Sequence, residues 1–186
     1  MAPPLVLMSE IGSDRSMEQP DYSLESAAQQ RGYVRIAGVD EVGRGPLAGP
    51  VTAAAVILNP EDIPAGLNDS KKLSAKKREA VEQMIFDKAE VAIAHATVEE
   101  IDELNILRAS HLAMERAVAM LDPAPDYLLI DGNLIPKGLV LPSEAVIKGD
   151  GKSVSISAAS IVAKLCRDRL MVDLAQQYPG YGWEKN

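Results

Sequence analysis

Apolar and polar positions along the chain fall into short blocks of two different periods. Val34 to Val39 and Val51 to Leu58 are rich in β-branched and small apolar residues, and a Gly/Pro-rich turn from Gly43 to Gly49 lies between them. That arrangement predicts two antiparallel strands joined as a hairpin. Val91 to Ala96 and Tyr127 to Asp131 read as further strands, the second a continuous apolar run of the buried kind ending in an acid. Glu144 to Ile147 reads as the last strand. Between them the period changes to that of a helix. Ser74 is placed to cap a helix with Val81, Met84 and Ile85 on one face. Thr97-Val98-Glu99-Glu100 matches a capping box, and Leu107, His111, Met114, Val118 and Leu121 recur beyond it until Pro123 and Pro125 end the run, which predicts one helix. A long helix from Ser153 to about Ala175 turns Ala158, Ile161, Val162 and Leu165 inward. A hairpin followed by alternating helices and strands predicts one mixed α/β sheet with helices on both faces.

The first thirty residues break this pattern. They carry Pro3, Pro4 and Pro20 among scattered Ser and Gln with no sustained period, so residues 1–30 are expected to form a mobile extension, with order beginning near Tyr33. The 186 residues are enough for about one domain. The single cysteine, Cys166, excludes a disulfide framework and any multi-cysteine metal site, which fits a reducing compartment. The longest apolar stretch, Gly49 to Leu58, is too short for a bilayer and the N-terminus lacks a secretory pattern, so a soluble cytoplasmic protein is expected.

A net charge of −8, from 19 Lys and Arg against 27 Asp and Glu, argues at face value against a nucleic-acid partner. Half of that excess sits in residues 1–30, and the rest vanishes if four carboxylates of the body ligate metal. Local clusters therefore decide more than the total.

Acids occupy comparable places along the chain. Asp40 and Glu41 end the first strand, Asp131 ends the apolar strand, and Asp150 follows the last one. Ligands bind at strand ends of open α/β sheets, and carboxylates gathered there repel one another unless cations neutralise them. Oxygen ligands with only His95 and His111 as alternatives select Mg2+ or Mn2+ over zinc. Any one such acid is ordinarily a solvated turn former; three placements together shift the balance. Adjacent ligands at 40 and 41 point to opposite faces of a regular strand, so a bend, a bulge or a Glu wrapping round is expected, with Gly43 and Gly45 supplying the freedom.

Other features weigh less. Gly43-Arg44-Gly45 fails the dinucleotide fingerprint at Ala48 and precedes a strand instead of a helix; it suits a close-approaching phosphate or sugar edge, or is a plain hairpin turn. Gly151-Lys152-Ser153 lacks the P-loop glycine, with Val146 in its place. Asp69-Ser70-Lys71-Lys72 before a helix start could hold a phosphate or simply cap the helix. Lys164 and Asp168 are spaced for an intrahelical ion pair. Small residues from Ser155 to Ser160 read as packing, Cys166 and His111 as core, and Tyr178, Tyr181 and Trp183 as hydrophobic closure.

Taken in order, Gly38-Val39-Asp40-Glu41-Val42-Gly43-Arg44-Gly45-Pro46-Leu47-Ala48-Gly49, Leu67-Asn68-Asp69-Ser70-Lys71-Lys72-Leu73, Ile101 to Leu107, Ile130-Asp131-Gly132-Asn133, Lys148-Gly149-Asp150 and Ile156 to Lys164 closely resemble bacterial ribonuclease HII from about residue 33 onward. The resemblance implies a ribonuclease H-like fold, a mixed five-stranded sheet flanked by helices, over residues 31–186. It implies a two-metal endonuclease that hydrolyses the RNA strand of RNA:DNA hybrids and nicks 5′ to single ribonucleotides in duplex DNA, leaving 5′-phosphates. The acidic quartet falls on Asp40, Glu41, Asp131 and Asp150, holding Mg2+ or Mn2+. The glycine–arginine–glycine turn that reads the ribose 2′-OH falls on Gly43, Arg44 and Gly45, and Ser70, Lys71 and Lys164 match positions near the substrate backbone. Family members continue into a tyrosine motif and a basic helix, whereas this chain stops at Asn186, so a domain lacking its C-terminal segment is expected. The competing expectations are a weakly active hybrid-binding module and, further behind, a small-molecule phosphotransferase. A monomer without membrane association is expected.

Overall fold

The computed structural model describes residues 19–185. Five strands form one sheet in the order β3-β2-β1-β4-β5. β1 (Ile36–Val42) and β2 (Val51–Leu58) make the expected hairpin, with Ala37 opposite Ile57 and Val42 opposite Thr52. β3 (Ala89–Ala96) extends the antiparallel half beyond β2. β4 (Tyr127–Asp131) runs parallel to β1, and β5 (Ser143–Val146) runs parallel to β4 at the edge. The sheet is therefore mixed, as a hairpin followed by crossover units requires.

Every residue of β2 is buried, because helices cover both faces. Its Ala53, Ala54 and Ala55 keep those faces thin. On one side α4 (Ile106–Ala119) lays Ala109, Ala113 and Ala117 against Ala53, Ala55 and Ala94. On the other, α5 (Val154–Gln177) and α2 (Ala75–Lys88) pack Ala158, Ile161, Val162, Val81 and Ile85 against Ala54 and Val56. The closest approach is at Gly38, where a Cβ would collide with the Ser155 carbonyl and the Ile156 amide; only glycine lets the start of α5 cross β1 there.

Two segments depart from the sequence reading. The run from Thr97 is two helices, α3 (Val98–Leu104) and α4, with the capping box formed as expected: Glu100 N donates to Thr97 Oγ1 at 3.2 Å and Thr97 N to Glu100 Oε2 at 2.9 Å. Asn105, at φ +70°, ends α3, and its side-chain oxygen accepts from the amides of Leu107 and Arg108 to start α4. Periodicity misses the break because the apolar stripe resumes in phase. The second departure is the expected mobile extension. Most of it lies outside the described residues, but Ser23–Gln30 forms helix α1, with Glu25 and Ala28 buried against the body. Leu24 and Ala28 pack it onto Ile36, Tyr127 and Leu129, but a stripe of only eight residues is too short to stand out from the polar sequence around it. Among the described residues no helix is long and apolar enough to cross a membrane.

Candidate active site

The parallel pairing of β1 with β4 stops at Val39 and Ile130, while the antiparallel side of β1 continues to Val42. Past that point the two central strands open a cleft. Val39 and Ile130 face α4 in the core, so the next residues on each strand, Asp40 and Asp131, face α5 side by side. Glu41 emerges on the α4 side. The unbroken β1–β2 register shows neither bulge nor bend; the longer glutamate reaches round the strand end instead, and carboxylate oxygens of Asp40, Glu41 and Asp131 lie within 4.8 Å of one another. Gly43 (φ +102°) turns the chain only after the strand is complete.

Asp150 sits on a single 3-10 turn, Gly149–Gly151, just before α5. It lines the same cleft, of about 390 Å³, outside the tight trio. The turn is tied to the trio by Gly149 N, which donates to Asp131 Oδ1 at 2.7 Å.

These groups are charged at some cost. Burial pushes the Asp40 carboxyl well above its ordinary range, and Glu41 and Asp131 push it further, against the hydroxyl of Ser160 and the Glu41 amide. Burial likewise raises Glu41, opposed by Arg44, whose guanidinium donates to Glu41 Oε1 at 3.2 Å. Asp150 is raised by burial and by Asp69 and Asp131, with Lys71 acting the other way. An oxygen-only donor set carrying unneutralised negative charge fits a hard divalent cation.

Gly43, Arg44, Gly45, Ser70, Lys71 and Lys164 line the cleft together with the four carboxylates, so all ten residues singled out from the sequence converge on it. Lys164 reaches the cleft while also pairing with Asp168, as the spacing predicted. Two contributors escaped the sequence reading. Ser160, taken as packing, lines the cleft, bonds Ser70 Oγ at 3.0 Å and touches Asp40. Arg167, 2% exposed, donates through Nε to Pro50 O at 3.0 Å and through Nη2 to Ala48 O at 2.9 Å, and lies directly under Gly43. A signal was present: Ser160, Lys164, Arg167 and Met171 share one face of α5, and a charged residue on a buried stripe asks for partners. His111 stays half-buried in the groove beside Glu41 and Arg44.

The acids thus meet where the two central strands of the mixed sheet diverge. Residues 37–186 match the family model described as Ribonuclease HII. The Ribonuclease HII of Ruegeria pomeroyi is 73% identical over 175 residues, covering 94% of this chain and 75% of that one. The crystal structure of the ribonuclease H2 of Pyrococcus horikoshii OT3 matches with a TM-score of 0.69 at 31% identity, over 80% of this chain and 79% of that one. Bst-RNase HIII, solved in complex with Mn2+, shares the fold at a TM-score of 0.66 and 23% identity, over 81% of this chain and 57% of that one. The chain belongs to the ribonuclease HII family, and it is a hydrolytic endonuclease that cleaves RNA in RNA:DNA hybrids and ribonucleotides set in DNA.

Proposed function

We propose that Asp40, Glu41, Asp131 and Asp150 hold Mg2+ or Mn2+ against the scissile phosphate of an RNA:DNA hybrid or of a DNA duplex carrying a single ribonucleotide. The carrying observation is the trio of carboxylates within 4.8 Å at the strand ends, Asp40 buried and Glu41 and Asp131 half-buried, short of positive charge. Bound divalent cations supply an activated water at neutral pH and neutralise charge on the phosphate. Everything else falls to the chain. Asp40 and Asp131, fixed by neighbouring strands, set the platform, and Glu41 closes it from the opposite face. Among the described residues Arg44 is the one cation paired to the cluster, and it is free to turn to a substrate phosphate when Glu41 takes a metal.

The Gly43–Gly45 turn buries Gly43 and exposes Arg44 and Gly45 at the cleft, with space around Gly45 for a ribose to approach. Its amides read the 2′-OH, the group that separates RNA from DNA at each sugar. Ser70, Lys71 and Lys164 take backbone phosphates on the opposite rim. In-line attack on phosphorus breaks the bond to the 3′-oxygen and leaves 3′-OH and 5′-phosphate ends. All four carboxylates come from one chain, so a single copy suffices, and the lone cysteine is compatible with the cytoplasm. A binding module without turnover is not favoured, because the family is hydrolytic.

Nicking of a duplex with one embedded ribonucleotide, in Mg2+ and in Mn2+, tests the assignment. Asp40→Asn and Asp131→Asn should each lose about 10³-fold or more in rate with an unchanged far-UV circular dichroism spectrum. Rates near wild type in either variant would remove that residue from the site.

A further inference from the structure

Glu25 is 1% exposed, although it sits on α1, outside the residues the family model matches. Its Oε1 accepts three hydrogen bonds: from Ser153 Oγ at 2.6 Å, Ser155 Oγ at 2.5 Å and Ser155 N at 2.9 Å. Its Oε2 is buried with no hydrogen-bond partner. All three donors belong to the start of α5, where Ser153 Oγ also accepts from Ile156 N at 3.1 Å. A carboxylate suits the free amides and positive dipole of a helix start, and this one is supplied from 130 residues away. The backbone repeats the clamp, with Asp21 N donating to Lys152 O at 3.2 Å and Val154 N to Asp21 O at 3.1 Å.

The clamped stretch is the one that carries Asp150. Lys152 N and Ser153 N both donate to Gly149 O, at 2.9 and 2.8 Å, and Gly149 N reaches Asp131 Oδ1. On its other side Ser155 is pressed onto β1 at Gly38, two residues before Asp40. Displacing the start of α5 therefore displaces Asp150 and loosens the donor on Asp131. Anchoring a surface helix needs no buried carboxylate, and leaving one of its oxygens unsatisfied costs free energy. Glu25 is arranged to fix a position.

We propose that Glu25 is a positioning residue for Asp150, acting through Ser153 and Ser155 to hold the Gly149–Ser155 segment in register with the carboxylate trio. This rests on the reading of Asp150 as one of the cation-holding groups. The test is the Mn2+ concentration for half-maximal nicking of the single-ribonucleotide duplex, with Mn2+ binding by calorimetry, in wild type, Glu25→Ala, Asp150→Asn and the double variant. Glu25→Ala should raise the Mn2+ requirement about 10-fold, leave KM for the duplex unchanged and recover rate at high Mn2+. In the Asp150→Asn background it should add little. Glu25→Gln, which keeps an acceptor in place, should return most of the loss, and Ser155→Ala should shift the requirement in the same direction by less. These two variants carry the test if Glu25→Ala does not fold. A lowered melting temperature with the Mn2+ requirement unchanged, or additive effects in the double variant, would overturn the proposal and leave Glu25 as an anchor for α1. An Asp150→Asn variant with unaltered Mn2+ requirement and rate would instead overturn the place of Asp150 in the site, and the proposal with it.

Discussion

Two polar clefts lie at opposite ends of the same sheet, and they treat charge in opposite ways. At the Arg35 end a cleft of about 550 Å³ is lined by Arg35, Asp62, Asp87, Lys88 and Glu90. All of its charges but Asp87, which accepts from Gln83, are paired: Arg35 donates to both Glu90 oxygens at 2.9 and 2.7 Å, and Lys88 meets Asp62 at 2.5 Å, while nearby Asp126 accepts from the amides of Val34 and Arg35 at 2.9 Å each. Arg35 holds the Glu90 carboxyl below its ordinary range. At the other end the smaller cleft, about 390 Å³, gathers four carboxylates whose one ion pair is Arg44 with Glu41, and Asp40, Glu41 and Asp150 are all pushed upward. Size does not distinguish the two. Charge balance does: the first cleft pairs most of its acids with nearby bases, whereas the second leaves its acids largely unpaired, which is what the proposed cation site calls for.

The comparison can be broken from either end. The largest effect belongs to Asp40→Asn, which should lower nicking about 10³-fold or more and, at pH values where Asp40 would otherwise ionise, stabilise the metal-free protein; a destabilised variant in chemical denaturation at about pH 8 would contradict the picture of an unsettled cluster.

Arg167→Met comes next. It strips the carbonyls of Ala48 and Pro50 of their buried donors, at a cost of about 2 kcal/mol. By freeing the Gly43–Gly45 turn it should lower kcat/KM for the single-ribonucleotide duplex about 10-fold, with the Mn2+ requirement unmoved. A shifted Mn2+ requirement would place Arg167 with the metal site instead.

The third concerns pH. Asp40, Glu41 and Asp150 keep protons in the folded chain that the unfolded chain has already released, so metal-free stability should fall as pH rises above about 4 through the raised values. Glu90 has the opposite sign: its contribution is present above its ordinary range and is lost as pH falls through its lowered value. Melting temperatures from pH 4 to 8, with EDTA and with Mg2+, check this; Mg2+ should remove the decline, and parallel curves would refute it. The smallest effect is Glu90→Gln. With Glu90 45% exposed in its ion pair, the change should cost no more than about 0.5 kcal/mol and leave nicking untouched.

How far the site was legible depends on the element. The small and β-branched β2 run, the Ser74 cap and the Thr97 capping box announce themselves, since each is a local pattern with a local cause. Asp40, Asp131 and Asp150 were legible as acids at or just past strand ends, and the resemblance placed the glycine–arginine–glycine turn beside them. Asn105 was not, because one residue in a left-handed conformation divides a stripe that stays in phase. Nor was α1, which spans only eight residues and is held by the buried Glu25 carboxylate together with Leu24 and Ala28.

The linear chain alone determined most of the strands and helices, α1 and the break at Asn105 excepted, and that its oxygen-rich acids favour a hard cation over zinc, because propensity, capping and donor chemistry act over a few residues. Only the tertiary structure decided that Glu41 rounds the strand end without a bulge, that Arg167 props the turn from 117 residues away, and that Glu25 grips the start of α5. Those outcomes depend on where two parallel strands part and on which buried polar group finds a partner across the fold, and neither is written in any neighbouring residue.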